Sequence, residues 1–344
     1  MTAQDNVIEG TKVADIQVST TYPIVSAWEF EFLKQEAAIR ERLDACTIYL
    51  IVQRPLTYFD QVELIGSYLY FEIADGATLP LKCRLNLAAA DICGDDETID
   101  IEVQFFGAKP SNQQPFRDVG AIRVFKPDGS FVVWWSPQKI LYEMLVNGLQ
   151  IEVTDDGNPL SFLDFKVHYI GKAFSQKVWD RLTGHDKMQR ILTLQGPVGA
   201  SPQARAPFEI SLILLTVVGL SDMPEIPANG FSIPPGVKAI KHTVDLDDDA
   251  AFEQFFLKPF VELGDEALTK EVEAMLIHQF QPVENEVKFK HYPKIKGGMR
   301  SKGYSATCLT IERLPALLYT DYHQIAPHFE IGQCTTPAKQ TLGG

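Results

Sequence analysis

Four residue types that together handle phosphate chemistry occur in order along the second half of the chain: Tyr169, Arg181, His185 and Glu273. Hydrolysing a phosphodiester needs an activated water, neutralised non-bridging oxygens and relief of charge on the leaving oxygen. A lone carboxylate such as Glu273 can hold Mg²⁺ (or Mn²⁺), which keeps most of its waters and contacts substrate phosphate. Arg181 is permanently charged and forks onto phosphate oxygens. Tyr169 is a poor base at its free pKa near ~10. Beside a metal-bound water and a cation its hydroxyl can still relay or accept a proton. His185, which titrates near working pH, is the alternative base.

The elements that must position these groups are legible as patterns. Tyr169-Ile170-Gly171-Lys172 ends a strand predicted over 165–170. A turn, Asp155-Asp156-Gly157-Asn158-Pro159, precedes that strand and joins it in an expected hairpin to a strand over 149–154. Apolar residues at helical spacing predict a helix over 175–194, with Gly184 as a break. Arg181 and His185 stand at i and i+4 on it, so they share one face. A third strand is expected over 208–218, an irregular loop over 221–237, and a helix beginning near Ala250 behind an acidic cap. Glu273 lies on a helix over 267–280 that Pro282 stops, and a strand over 306–312 follows.

The ordered set of Tyr169-Ile170-Gly171, Arg181 with His185, Glu273 ahead of Leu276-Ile277, and Pro282 with Asn285 resembles the GIY-YIG nuclease superfamily. The resemblance covers roughly residues 148–290. It implies a small antiparallel sheet flanked by helices, with Tyr169, Arg181 and His185 catalytic and Glu273 holding the metal. It further implies that Lys172 contacts a nucleic-acid backbone and that Asn285 orients phosphate or supports Glu273. The family's first motif finds its best match at Gly148-Leu149-Gln150, where glutamine replaces the expected tyrosine. The long gap between Arg181 and Glu273 implies an insertion near 220–262.

Composition sets the frame. The 344 residues suit two domains, and the patterning predicts an α+β chain. A β-rich targeting or interaction domain is expected over 1–147, and a GIY-YIG-like domain over 148–344. Predicted strands over 47–53, 68–73, 98–106, 121–125 and 131–135 fill the first, with one helix over 27–43 and a linking helix over 137–147. The acidic stretch 94–97 reads as a solvated turn. Five scattered cysteines without a C-x-x-C pair read as free thiols of a cytoplasmic protein. The N-terminus is polar and no apolar run is long enough to span a bilayer, so no membrane association is expected.

A net charge of −14 argues against a general nucleic-acid coat. Residues 1–147 carry 12 Lys and Arg against 21 Asp and Glu, an acidic region suited to a protein partner or a second copy. Residues 287–302 are instead purely basic: Lys288, Lys290, Lys294, Lys296, Arg300 and Lys302. Phe289, Tyr292 and Tyr304 interleave with them, a pattern suited to backbone contact and base stacking. The leading expectation is a metal-dependent endonuclease acting on DNA, with RNA second, in the manner of a restriction or phage-defence effector. Its rivals are a nucleic-acid-binding protein that has lost catalysis and a structural or assembly protein that keeps the fold. Taken singly, each motif reads as well as a core aromatic, a solvated helix face or a turn.

Overall fold

A computed structural model describes residues 6–328 except 34, 95–96, 107–112, 175–176, 185, 200–205, 226–236, 257–265, 290 and 293–294. The chain opens with β1 (Val7–Thr20), β2 (Val25–Ser26), α1 (Ala27–Leu33), α2 (Ala37–Leu43) and β3 (Ile48–Gln53). Next come β4 (Tyr58–Ile65), β5 (Tyr68–Ala74), β6 (Leu81–Asn86), β7 (Asp100–Phe105), β8 (Val119–Phe125), β9 (Phe131–Trp135), α3 (Pro137–Val146) and β10 (Ile151–Val153). Then follow β11 (Asp164–Lys172), α4 (Val178–Thr183), α5 (Asp186–Leu194), α6 (Ala206–Glu209), β12 (Ile210–Glu225), β13 (His242–Asp245), α7 (Asp249–Phe256) and α8 (Glu266–Phe280). The described chain closes with β14 (Tyr304–Glu312), β15 (Leu317–Tyr319) and β16 (Gln324–Ile325).

These elements form an α+β fold with two sheets. A mixed sheet of nine strands runs β13-β1-β12-β3-β11-β15-β16, with β14 parallel to β1 and β2 paired to β12. A seven-stranded antiparallel sheet runs β10-β6-β5-β4-β8-β7, with β9 on β8. This topology corrects the expected division at 147. Strands from both halves of the chain build the large sheet, and the smaller sheet is made by the stretch between β3 and β11. Local patterning locates strands well, but the choice of partner is a tertiary matter.

The central strands show why the large sheet is buried on both faces. Every residue of β3 is buried, and its run Ile-Tyr-Leu-Ile-Val is of the apolar, β-branched kind that such strands need. Alternation sends Tyr49 and Ile51 to one face, where they pack with Leu212, Leu214, Phe30, Val178, Trp179 and Ile191. Ile48, Leu50 and Val52 go to the other face, against α8 residues such as Val272 and Met275 and the core of the smaller sheet. The helix expected over 27–43 is two, α1 and α2. Gly184 does separate α4 from α5, and Pro127-Asp128-Gly129 does join two antiparallel strands, with Gly129 at φ 82°.

The expected hairpin between 149–154 and 165–170 does not form. β10 pairs with β6 in the smaller sheet, whereas β11 lies between β3 and β15. The region read as an insertion near 220–262 extends β12 to Glu225 and adds β13, and both of these strands pair with β1. The acidic cap holds: Asp248 accepts from the backbone N–H of Ala250 and Ala251 at 3.0 and 3.2 Å.

His168, in β11, is buried, and its Nε2 lies 2.9 Å from Gln53 Oε1. Gln53 donates its amide to Glu209 and Gly196, so its carbonyl oxygen must accept and His168 carries its proton on Nε2. Burial pushes the His168 pKa down to about 4, with Lys166 adding to the effect. An unfolded histidine protonates near ~6.5, so the unfolded state takes up this proton first as pH falls. Stability is therefore expected to drop between pH ~6.5 and ~4, by roughly 3 kcal/mol from this residue. Urea titrations across that range should show a flatter slope in His168→Gln than in the wild type.

Candidate active site

The two strands that carry the site are β3 and β11, which run antiparallel with Gly171 opposite Tyr49 and Tyr169 opposite Ile51. Tyr49 and Tyr169 therefore lie diagonally on one face, with ring centroids 6.1 Å apart and planes inclined by 35°. The Tyr49 hydroxyl donates to that of Tyr169 and accepts from the Arg181 guanidinium, which α4 brings over the strands. Gly171 is what makes room for this pair. A Cβ there would stand 2.6 Å from the Tyr49 ring and hydroxyl and 2.7 Å from the Tyr169 ring, closer than real contacts allow. Gly171→Ala is thus expected to cost about 1–3 kcal/mol through overpacking. Chemical denaturation checks it; a change below 0.5 kcal/mol, about the scatter of neutral surface changes, would contradict the packing described.

Electrostatics distinguish the two hydroxyls. Burial pushes Tyr49 well above the usual phenol range, so it stays a proton donor. Tyr169 is raised by burial and then by the nearby charge of Glu273, while Arg181, the hydrogen bond from Tyr49 and Lys187 pull it back. The balance still leaves Tyr169 above the usual phenol value, so it too keeps its proton in the free protein.

Glu273 comes from α8, which packs on β11. It forms an ion pair with Lys172 at the end of the Tyr-Ile-Gly strand, and its side chain keeps 16% exposure. Its neighbour Glu271 points the other way, into the fold, where it accepts from the Tyr292 hydroxyl and, at 2.6 Å, from the Met299 N–H. Ile277 is buried as its spacing implied. Glu273 thus presents a hard oxygen donor of the kind Mg²⁺ or Mn²⁺ takes, but one of its oxygens is engaged by the Lys172 ammonium. Among the described residues no group of three or more His, Cys, Asp or Glu is arranged to hold a metal, so Glu273 would serve as a single-carboxylate ligand.

Asn285 has a different part from the one expected. Its carboxamide accepts from the Ile170 N–H at 3.0 Å and donates to the Ile170 carbonyl at 2.8 Å. β15 covers β11 only over Asp164–Lys166, and Asn285 closes the edge beyond it. Buried and occupied in this way, Asn285 positions the strand and is not a nucleic-acid contact. Two ion pairs tie its turn to α5: Lys187 with Glu286 at 2.6 Å and Arg190 with Glu284 at 3.4 Å. Lys187, which acts on Tyr169, is a site residue that sequence reasoning missed.

The basic stretch is also only partly as expected. Arg300 donates to the carbonyls of Tyr304 (2.8 Å), Ser305 and Lys238 (3.2 Å), so its guanidinium serves the fold and not a substrate. Tyr304 is buried, Tyr292 is held by Glu271 and Thr307, and Phe289 packs partly buried on the core. Lys288, Lys296 and Lys302 are exposed. His185, Lys290 and Lys294 lie outside the described residues.

The structure places a different tyrosine beside Tyr169 from the position expected at Gln150. Gln150 precedes β10 of the smaller sheet, whereas Tyr49, in Thr47-Ile48-Tyr49, lies across from the Tyr-Ile-Gly strand. A signal was present: a β-branched residue and tyrosine open a strong strand. It lay on the far side of the entire smaller sheet. Comparison with family models, with curated proteins and with solved structures gives no match. Among the described residues no helix is long and apolar enough to cross a membrane.

Proposed function

We propose that this protein is a divalent-metal-dependent endonuclease of GIY-YIG type that hydrolyses DNA phosphodiester bonds. The observation that carries the reading is the hydroxyl pair of Tyr49 and Tyr169 on adjacent strands, with Arg181 bonded to Tyr49 on the same face; Glu273, on the α8 side of the sheet, is near enough for its charge to act on Tyr169. In this reading Thr47-Ile48-Tyr49 supplies the first tyrosine and no residue is lost at Gln150.

Glu273 would hold the cation, which when bound neutralises phosphate charge and supplies an acidified water. The chain's own residues do the rest. Tyr49 is a positioning residue: its buried hydroxyl fixes Tyr169 and anchors Arg181. Tyr169 receives or relays the proton of the attacking water, helped by the cations Arg181 and Lys187. Arg181 is exposed beyond its contact with Tyr49, so its remaining N–H groups can stabilise charge on the phosphate. Lys172 neutralises Glu273 in the free protein and is a further cation for the substrate.

A restriction or phage-defence setting would suit such an enzyme. The test is nicking of supercoiled plasmid with Mg²⁺ or Mn²⁺. The wild type should nick, and Glu273→Ala should lose at least ~100-fold. The Lys172–Glu273 pair favours one rival, a protein that binds nucleic acid without cutting it, because it occupies the carboxylate with an internal cation. Retained DNA binding with no nicking by the wild type would decide for that rival.

A further inference from the structure

Beside Tyr169, the turn over 282–288 carries two carboxylates that reach α5: Glu286 pairs with Lys187 at 2.6 Å and Glu284 with Arg190 at 3.4 Å. We infer that Lys187 and Arg190 are a contact surface for the phosphate backbone of a nucleic-acid strand entering the site, and that Glu284 and Glu286 occupy it in the free protein as an internal acidic strap. The strap would regulate the proposed nuclease site, and it rests on that reading for its substrate.

The backbone of the strap is fixed on both sides of Tyr169. The Glu284 N–H donates to the His168 carbonyl at 3.1 Å, and the Asn285 carboxamide holds both backbone groups of Ile170. The turn therefore cannot leave without uncovering the edge of β11, and its carboxylates stay in front of α5. Their side chains are what can move. Glu286 is 81% exposed and can swing into solvent freely, whereas Glu284, at 10%, is the more tightly held.

The cations of α5 act as a pair. Lys187 and Arg190 stand three positions apart, so they share a face with Cβ atoms about 5–6 Å apart, while Met188 and Ile191 face the core. Lys187 is close enough for its charge to act on the Tyr169 hydroxyl, and Arg190 acts in turn on Glu286. One strand of DNA carries a charge every ~3.4 Å along its axis, so two long side chains at this spacing can meet neighbouring phosphates. Exposed ion pairs contribute little to stability, and release of the counterions condensed on DNA favours exchange of a carboxylate for a phosphate. The strap thus screens the cations from small anions and yields to a polyanion that engages both at once.

Fluorescence anisotropy of a labelled DNA duplex in EDTA, where no cutting occurs, tests the strap. Glu284→Gln/Glu286→Gln is expected to bind at least ~5-fold more tightly than the wild type, with a slope of log K against log salt steeper by about 1–2. Adding Lys187→Gln and Arg190→Gln should abolish the gain. Glu102→Gln/Glu152→Gln makes the same change of charge on the smaller sheet, freeing Arg123 and Arg84, and should leave affinity unaltered. Should the strap variant not fold, Glu286→Gln alone is expected to tighten binding by at least ~2-fold. Unchanged affinity in a folded strap variant, a gain that survives loss of Lys187 and Arg190, or an equal gain in the remote variant would overturn the strap. Absence of binding by all of these proteins would overturn it as well. Tighter binding by the strap variant with no nicking by any protein in Mg²⁺ or Mn²⁺ would sink the enzyme and leave the strap; nicking with unchanged binding would do the reverse.

Discussion

Replacing Arg181 with alanine is expected to slow plasmid nicking by about 10²–10³-fold, the loss seen when one preorganised donor to a transition-state oxyanion is removed. Two effects add up in this residue. Its guanidinium is the fixed cation nearest the hydroxyl pair, and it also anchors Tyr49, which in turn holds Tyr169. Arg181→Lys should recover little, because an ammonium offers no fork to serve phenol and phosphate at once. Because Arg181 also bonds the buried Tyr49 hydroxyl, folding stability should fall as well, but only by about 1 kcal/mol. Single-turnover nicking paired with thermal denaturation separates the two readouts. A fall in stability as large as that in rate would assign Arg181 to the fold.

The largest expected effect on stability is at Arg54, where the chain leaves β3 for the smaller sheet. Its guanidinium is buried, bonded to Asp75 at 3.1 Å and to Thr57, and lies 3.7 Å from Asp164 at the start of β11. Phe162 and Phe165 stand beside it, each with its centroid 6.0 Å away. One side chain thus pins both crossings between the sheets. Removing one partner of a buried pair leaves the other charge uncompensated, so Arg54→Ala should cost about 3–5 kcal/mol. Urea denaturation measures this, and a cost below ~1 kcal/mol would match an exposed pair instead.

Asp75 gives the same cluster a pH signature. Burial alone would raise its pKa, but donors from Thr78 and Ala77, together with Arg54, outweigh burial and hold it below the usual carboxylate value. The ionised form is thus favoured in the folded state. This contribution is present above the unfolded pKa near ~3.9 and is lost as pH falls through the folded value. It therefore lies on the acid side of the His168 window, and the two can be separated in one titration series.

Elements were far more legible in the sequence than their partnerships. The run Ile48 to Gln53 reads as a strand, the helix of Glu273 reads as a helix, and Gly184 reads as a break, because period and propensity are local. The pairing of β3 with β11 is not local. Consecutive strands are usually neighbours, which makes the hairpin before Tyr169 the natural expectation and Gln150 its natural register position. The chain instead builds a whole sheet between the two tyrosine strands. Asn285 and Arg300 are misread for a related reason. Their polar ends are taken up by backbone groups of distant segments, and residue type alone cannot show whether a donor faces a carbonyl or solvent.

The central claim is that Tyr49, and not a residue near Gln150, completes the site of Tyr169. Plasmid nicking with Mg²⁺ or Mn²⁺ by the wild type, Tyr49→Phe and Gln150→Ala tests it most directly. The expected result is nicking by the wild type, a loss of at least ~10²-fold in Tyr49→Phe and an unchanged rate in Gln150→Ala. Full activity in a folded Tyr49→Phe protein, or no nicking by the wild type with either metal, would contradict it.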